Sequence, residues 1–431
     1  MKKNFNKFLI LWFGQLIASI GSGLSAFALG VYAFEISKSA FDSSMVMLLG
    51  FLPSVLLLIP SGVLADRHDR RLLMILGDSF SALGVLFILL MKLYSDLSLI
   101  HIYIGVVISS IFSSLMQPAY QATVTDLLDE EDYTKSSGMI QIASSSKFLL
   151  SPILAGFFLR THGIEFILSI DIGTILITVL TTFAIRKNLP KKKMIADKNF
   201  FKNLSFAWKE LKNNRGILNL VLIAGLLTFF MGILQTLSGP YILSFSNKES
   251  LGFSISISAV GMLVSSVLIG FGFLKKNFVN TMSIALFFAG VFMFLYGFTE
   301  VLYLVTLSGF LFFLNLPIIN SCMDYLVRAN VKNSYQGRIW SFIGFISQLG
   351  YVLAYPLAGI LADLIFSPAF NNGGFLYNNL GKIIGTGPSR GIGFVIILGG
   401  FGLSITAFFI KNNKAVKNLE LISTRGGSNE S

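Results

Sequence analysis

The chain has 431 residues, of which 54% are hydrophobic and only 13% are charged, and its formal net charge is +12. A soluble domain carries about 25% charged residues, so this composition excludes an ordinary soluble protein. The positive charge does not indicate nucleic-acid binding, because the basic residues lie in loops between apolar segments. The single cysteine, Cys322, excludes an intramolecular disulfide, and the three histidines lie in or beside predicted loops. We therefore expect no metal site and no cofactor.

Twelve mostly apolar segments of about 20 residues or more follow one another, each long enough to cross a bilayer. They predict an all-α polytopic membrane protein with twelve transmembrane helices, which we call spans one to twelve. Their predicted bounds are 8–34, 44–64, 72–94, 101–125, 136–159, 164–185, 217–244, 252–274, 278–298, 301–326, 339–366 and 390–410. Span one follows three lysines, as a signal peptide would, but its apolar region is too long, so we expect it to be retained.

Lysine and arginine residues predict the orientation of these spans. The two termini and the even-numbered loops hold 26 of the 33 basic residues, whereas the odd-numbered loops hold 6. Because basic loops stay on the cytoplasmic side, we expect both termini in the cytoplasm and the chain in a bacterial cell membrane. We call the span ends at the even-numbered loops and termini the inner ends, and the opposite ends the outer ends.

A polar stretch, 186–216, separates six spans from the next six. It contains apolar residues at helical spacing with lysines between them: Phe200, Phe201, Leu204, Trp208 and Leu211. This pattern indicates either an amphipathic helix at the lipid headgroups or a linker with a solvated charged face. We predict an N-terminal six-helix bundle at 1–185, a cytoplasmic linker at 186–216, a C-terminal bundle at 217–410 and a cytoplasmic tail at 411–431.

The two halves contain similar proline and glycine spacings. Pro118 in span four precedes Gly138 by twenty residues, and Pro317 in span ten precedes Gly337 by the same twenty. Repeated halves are typical of transporters in which two bundles rock about a central site. Chance matching of prolines and glycines is the alternative interpretation.

A short charged loop joins spans two and three: Gly62-Val-Leu-Ala-Asp66-Arg-His-Asp-Arg70-Arg71. Gly62 allows a helix end to approach its neighbour closely, while the acid and the arginines place charge at the helix ends. Few short basic loops combine a glycine, an aspartate four residues later and an arginine four residues after that.

With this loop the chain resembles the major facilitator superfamily, and within it the macrolide-efflux branch of drug exporters. Residues 62–71 match the signature of the superfamily, and further matches are 12–15, 50–53, 134–138, 170–171 and 337–344. The resemblance extends from Trp12 to about residue 410. It implies a secondary transporter that exports a hydrophobic or amphiphilic, drug- or macrolide-like molecule by proton antiport and alternating access. The expected partners are this substrate, protons and membrane lipid, without nucleic acid, and we expect a monomer.

The resemblance also assigns a conformational latch to the inner side. Its residues are Gly62, Asp66, Arg70, Arg71 and Asp126, at positions that in the family join the two bundles while the outside is open. Acids and a base at helix ends can form charge-assisted hydrogen bonds that one conformation keeps and another breaks. The alternative is that these charges only set the topology.

Spans four and five depart from the exporter pattern. Ser151, Pro152 and Gly156 resemble the glycine-rich helix bend of exporters, although serine and alanine replace glycines; a simple kink in a packed helix is the alternative. In span four, Ser109 occupies the place of the arginine that such exporters link to proton transfer.

A charge lies instead in span five, at Lys147. An ionisable side chain within a span is costly unless it is paired or faces water, so it suggests function. Asp171 in span six is the nearest acid, and the two form either a proton-coupling site or a neutral structural pair. Asp78 and Asp324 are further proton-coupling candidates.

Polar and aromatic residues within the spans are candidates for a substrate cavity: Trp12, Gln15, Gln117, Tyr120, Gln141, Gln235, Asn315, Trp340 and Gln348. Amides within spans equally often form hydrogen bonds between helices. Other substrates to consider are a siderophore-like metabolite and a lysolipid. A polytopic membrane enzyme and a non-transporting receptor are the other classes, but the scattered histidines form no catalytic group, so we expect no enzyme.

Overall fold

The apolar segments are helical in the structure, a computed structural model that describes residues 3–128, 132–186, 208, 212, 214–272, 274, 277–331 and 333–426. Among these residues there is no β-strand. Eleven helices of the described part are long and apolar enough to cross a membrane, and Ala40–Leu56 is a shorter apolar helix.

The observed bounds agree closely with the predicted spans. Spans one to six are Lys3–Ser37, Ala40–Leu56 with Leu58–Arg67, Arg70–Tyr94, Leu99–Leu127, Tyr133–Leu149 with Ser151–Thr161, and Gly163–Arg186. Spans seven to twelve are Arg215–Leu243, Lys248–Gly270, Phe278–Phe298, Leu302–Asn330, Asn333–Ile360 with its continuation Leu361–Phe366 and Ser367–Phe370, and Pro388–Asn412. The stretch before span twelve holds one further short helix, Gly381–Ile384.

Three spans are interrupted. Span two breaks at Leu57 and span five at Leu150, and in each case a proline, Pro60 or Pro152, lies in the first turn of the second helix. Proline has no backbone N–H and its ring crowds the preceding turn, which explains both breaks. Span eleven continues beyond Ile360 as a π-helical segment, Leu361–Phe366, in which the turns are wider than those of an α-helix.

Backbone contacts divide the chain into two units. Unit 1 comprises Met1–Lys198 and Asn247–Ser256, and unit 2 comprises Asn199–Ser246 and Ile257–Ser431. Unit 1 therefore contains spans one to six and the first part of span eight. The division of the sequence into bundles at 1–185 and 217–410 stays a prediction.

Close helix packing inside each unit depends on glycines. In unit 1, a Cβ atom built on Gly84 of span three would lie 2.3 Å from the carbonyl oxygen of Gly105 in span four. In unit 2, one built on Gly400 of span twelve would lie 2.5 Å from the carbonyl oxygen of Gly290 in span nine. No real side chain fits at these distances, so only glycine permits these crossings.

The inner end of unit 1 is an apolar core. Its buried residues come from spans one to four and six and include Phe8, Leu11, Met74, Tyr120 and Leu127. Because the first turn of span three and the last turns of span four are fixed by this core, the charged residues at their ends have a rigid support.

The predicted tail contains one helix in its described part. A helix covers Lys414–Gly426 and packs in unit 2, where Val416 and Leu419 are buried. Of the predicted amphipathic linker helix, Trp208 and Lys212 lie within the described residues, and the rest lies outside them. The Trp208 ring stacks on Phe342 of span eleven, with centroids 5.9 Å apart.

Candidate functional site

An ion pair joins the inner ends of spans three and four. Nη1 of Arg70 lies 2.7 Å from Oδ2 of Asp126, and the two side chains are only 9% and 17% exposed. Arg70 also donates from Nε to the carbonyl oxygen of Ala65 at 3.2 Å and from Nη1 to that of Ala122 at 3.3 Å. One guanidinium thus connects spans two, three and four, and its low exposure makes the pair stronger than a surface ion pair.

The other latch candidates lie around this pair. Arg71 is buried, and its backbone N–H donates to Oδ1 of Asp69 at 3.1 Å, which caps span three. The side chain of Asp66 lies outside the described residues. A Cβ atom built on Gly62 meets no described atom within 4 Å, so the close helix approach expected there is absent from the described part of the chain.

Lys147 and Asp171 come together in unit 1. They interact electrostatically, although no ion pair within 4.0 Å joins them among the described residues. Asp171 is 3% exposed and lies beside Ser25 of span one, whereas the Lys147 side chain is exposed. Oδ1 of Asp171 has no hydrogen-bond partner among the described atoms. A buried carboxyl oxygen without a partner is costly, so Asp171 stays a candidate for a functional group within the spans.

Span one packs closely against span five beside this pair. A Cβ atom built on Gly23 would lie 2.3 Å from Oγ of Ser151 and 3.0 Å from Cγ of Lys147. The Ser151 hydroxyl donates to the carbonyl oxygen of Ile20 at 3.0 Å. The break in span five therefore holds Lys147 against span one, on the side where span six supplies Asp171.

The two remaining coupling candidates differ in their surroundings. Asp78 in span three is 7% exposed, and its Oδ2 has no hydrogen-bond partner among the described atoms. Asp324 is 43% exposed and forms an ion pair at 2.7 Å with Arg328, one turn further along span ten. Because Asp324 is exposed and already neutralised by an arginine, its setting is that of a surface charge.

The bend in span five is packed against the first turns of span eight inside unit 1. A Cβ atom built on Gly156 would lie 2.6 Å from the carbonyl oxygen of Lys248, and one on Gly252 would lie 2.1 Å from that of Pro152. At the outer end, Lys248 forms an ion pair with Glu35 at 2.8 Å. The Pro152 turn and Gly252 thus form one tight contact.

We expect Gly252→Val to lower the stability of the protein by about 1–3 kcal/mol, because a β-branched side chain overpacks this contact. The midpoint of thermal unfolding of purified protein measures the change. Gly173→Val is the matched control, since a Cβ atom at Gly173 meets no described atom within 4 Å. Equal midpoints for both variants would contradict the tight contact.

The cavity candidates of unit 1 fall into two groups. The Trp12 indole donates to the carbonyl oxygen of Met139 at 2.6 Å, and Tyr120 lies in the inner core, where its buried hydroxyl has no partner among the described atoms. Gln15 has a buried Oε1 without a partner among the described atoms, while Gln117 and Gln141 are exposed. The three amides stay candidates for polar contacts with a substrate.

In unit 2, two cavity candidates are used inside the protein. The Tyr355 hydroxyl donates to Oε1 of Gln235 at 3.1 Å, and the Asn315 amide donates to a carbonyl of its own helix. Gln348 is half-buried. Trp340 lies at a cavity of about 740 Å³ beside span ten, where the guanidinium of Arg328 stands 5.8 Å from its ring centroid.

Sequence reasoning did not find three residues of these sites: Ser25 beside Asp171, Gly252 against Pro152, and Tyr355 on Gln235. A serine or tyrosine within a span carries no pattern that separates it from ordinary packing residues. Gly252 is one of 40 glycines. Its spacing from a second glycine in span eight, Gly261, gives no hint of a partner in span five.

A family model described as Major Facilitator Superfamily matches residues 11–355. Macrolide efflux protein A of Streptococcus pyogenes is 29% identical over 371 residues, which cover 83% of this chain and 90% of that protein. The protein of the same name from Enterococcus faecalis is 29% identical over 322 residues, covering 71% and 98%. The crystal structure of the nucleoside transporter NupG matches 95% of this chain and all of that chain, with a TM-score of 0.74 and 15% identity.

Apolar helices of membrane-spanning length, organised in two units with buried charges inside the spans, define a polytopic membrane transporter. The chain belongs to the Major Facilitator Superfamily. The predicted all-α fold of twelve spans and the resemblance to the macrolide-efflux branch are confirmed. The fold and the relatives are those of transporters rather than enzymes.

Proposed function

We propose that the chain exports an amphiphilic small molecule in exchange for protons, by alternating access. The observation that carries this proposal is the carboxyl group of Asp171, buried in span six with an unpartnered oxygen and an electrostatic neighbour, Lys147. A transporter that exchanges substrate for protons needs one protonatable group whose surroundings change between its two states. We assign this role to Asp171, because Ser109 stands where related exporters have the arginine that they link to proton transfer.

The substrate that the relatives favour is a macrolide-like drug, because two of them are named macrolide efflux proteins. The exposed amides Gln117 and Gln141 give such a molecule polar contacts. A susceptibility panel with deletion and overexpression strains identifies the substrate: macrolide protection supports the proposal. Protection only against a siderophore-like metabolite or a lysolipid would identify that molecule as the substrate and leave the proposed mechanism unchanged.

Transport itself is tested with membrane vesicles. Inverted vesicles that contain the chain should accumulate radiolabelled erythromycin when their interior is acidified, and right-side-out vesicles should not. Collapse of the pH gradient with a protonophore should release the label. Binding without accumulation in either orientation would indicate a receptor, and chemical conversion of the probe would indicate an enzyme.

The proposed location is a bacterial plasma membrane with both termini in the cytoplasm, and we propose a monomer surrounded by lipid. A reporter inserted after Arg186 should give a cytoplasmic signal, and one inserted at 371–382 an external signal, because basic residues favour the inner loops by 26 to 6. Green fluorescent protein fusions report a cytoplasmic site, and alkaline phosphatase fusions report an external one. An external signal at Arg186 would reverse the orientation.

A further inference from the structure

The helix at the C-terminus is attached to unit 2 by buried contacts. Val416 and Leu419 are 0% and 2% exposed, whereas Lys417 on the opposite face is exposed. A Cβ atom built on Gly216, at the start of span seven, would lie 2.7 Å from the carbonyl oxygen of Ala415. This contact requires glycine, so span seven and the C-terminal helix fit each other backbone to backbone.

Glu420 of this helix caps span nine. Its Oε1 accepts the backbone N–H of Phe278 at 2.6 Å, and its Oε2 accepts that of Val279 at 3.4 Å. These N–H groups belong to the first turn, where a helix has no internal acceptors and its dipole is positive. Asn277, the residue at the N-cap position, makes no side-chain cap hydrogen bond and has a φ of 58°. The Glu420 carboxylate therefore caps span nine in place of a residue of the preceding loop.

In unit 1, the first turn of span three is capped from its own loop. Span three is capped by Asp69, the residue directly before it, which accepts the backbone N–H of Arg71 at 3.1 Å. Span nine follows the loop Phe-Gly-Phe-Leu-Lys-Lys-Asn at 271–277, which contains no acidic residue. Since the preceding loop cannot supply a carboxylate, the cap of span nine comes from a residue 142 positions away.

The first residues of spans three and nine also differ in how they join the next span. Arg70 forms an ion pair with Asp126, whereas the Phe278 ring stacks on Tyr325, with centroids 3.8 Å apart and planes 17° from parallel. Asp126 and Tyr325 each lie eight residues after the proline of their span. The two junctions thus occupy corresponding places in the repeat, but one is ionic and the other is aromatic. An aromatic stack carries no charge that could satisfy the end of a helix.

We propose that Glu420 is a positioning residue for transport: it holds the inner end of span nine against span ten and ties both to span seven. Unit 2 then moves as one rigid body during transport, with its inner end fixed by the C-terminal helix. This inference rests on the proposed transport function. Its structural part, the attachment of the helix through Glu420, stands independently of any substrate.

Hydrogen exchange and transport by the full-length chain test the two parts separately. In Glu420→Ala, the amides of Phe278 and Val279 should exchange at the rate of unprotected helix ends, while those in the middle of span nine keep parental protection. Erythromycin uptake by inverted vesicles should show a maximal rate at least about fivefold lower, with a half-saturating concentration within about twofold of the parent.

Two further variants make the test specific. Lys417→Ala changes the exposed face of the same helix and should match the parent in both measurements. Glu420→Gln keeps an acceptor oxygen without the charge and should recover part of the protection and part of the rate.

Each adverse result has one meaning. Parental amide protection in Glu420→Ala overturns the cap. Lost protection with an undiminished maximal rate overturns the positioning role, as does an equal loss of rate in Lys417→Ala. If the parent itself moves no erythromycin, the proposed function fails for this probe, and the exchange measurement alone still decides the attachment of the helix.

Discussion

Asp171→Asn should abolish the accumulation of erythromycin by inverted vesicles on a pH gradient, while downhill exchange of the drug remains measurable. Asparagine has nearly the size of aspartate and can keep the neighbourhood of Ser25, but it cannot take up or release a proton. An exchanger that no longer couples the drug to protons only equilibrates it, so the internal and external concentrations should become equal. The ratio of internal to external label at steady state measures the loss of accumulation.

Glu165→Gln is the control for this experiment. Glu165 lies on the same span at its outer end, where it is half-exposed beside Lys92 at 3.7 Å. Its loss removes one acid from span six without touching the buried group, so accumulation should match the parent. If Asp171→Asn also concentrates the drug as the parent does, the Asp171 carboxyl group is structural. Asp78, which is buried with an unpartnered oxygen, would then be the next acid to test.

The same pair contributes to stability. Lys147→Ala leaves Asp171 buried without its charged neighbour, and Asp171→Asn leaves Lys147, a charge within a span, without its acid. Each single change should therefore lower the stability by about 1–3 kcal/mol, because it leaves one ionisable group without its partner. The double variant should regain most of the loss. The midpoint of its thermal unfolding, compared with those of the single variants, measures the stability regained.

Features that depend on local chemistry could be predicted from the sequence. Apolar length predicted the spans, and proline chemistry predicted a bend near Pro152, where span five breaks. The family resemblance implied one charge cluster that includes Arg70 and Asp126, and Arg70 does meet Asp126.

Features that depend on packing could not be predicted in this way. Glu420 meets Phe278 only because Leu419 and Val416 attach the C-terminal helix to unit 2, and the sequence of the tail shows merely a short mixed segment. Asp324 resembles other acids within spans, yet Arg328 neutralises it at the surface. Burial decides the role of an acid, and burial follows from neighbours that are distant in the chain.

Arg70→Ala should reduce erythromycin transport at least about tenfold, because it removes the group that joins three spans and shifts the balance between conformations. Asp126 and the carbonyl oxygens of Ala65 and Ala122 lose their donor, so we also expect about 1–3 kcal/mol of destabilisation. Arg70→Lys should remain impaired, since a lysine cannot reach carboxylate and carbonyl groups with one planar fork. Initial uptake rates, divided by the amount of inserted protein, measure the effect.

The exchange of the two charges separates a latch from a topology signal. In Arg70→Asp with Asp126→Arg the ion pair can form in reverse, and the number of basic residues on the inner side is unchanged. We expect this double variant to regain part of the transport that each single variant loses. Asp66→Asn should also impair transport, whereas Arg67→Ala, an exposed arginine at the end of span two, should not. Parental rates in Arg70→Ala and Asp66→Asn, with normal insertion, would show that these charges set the topology alone.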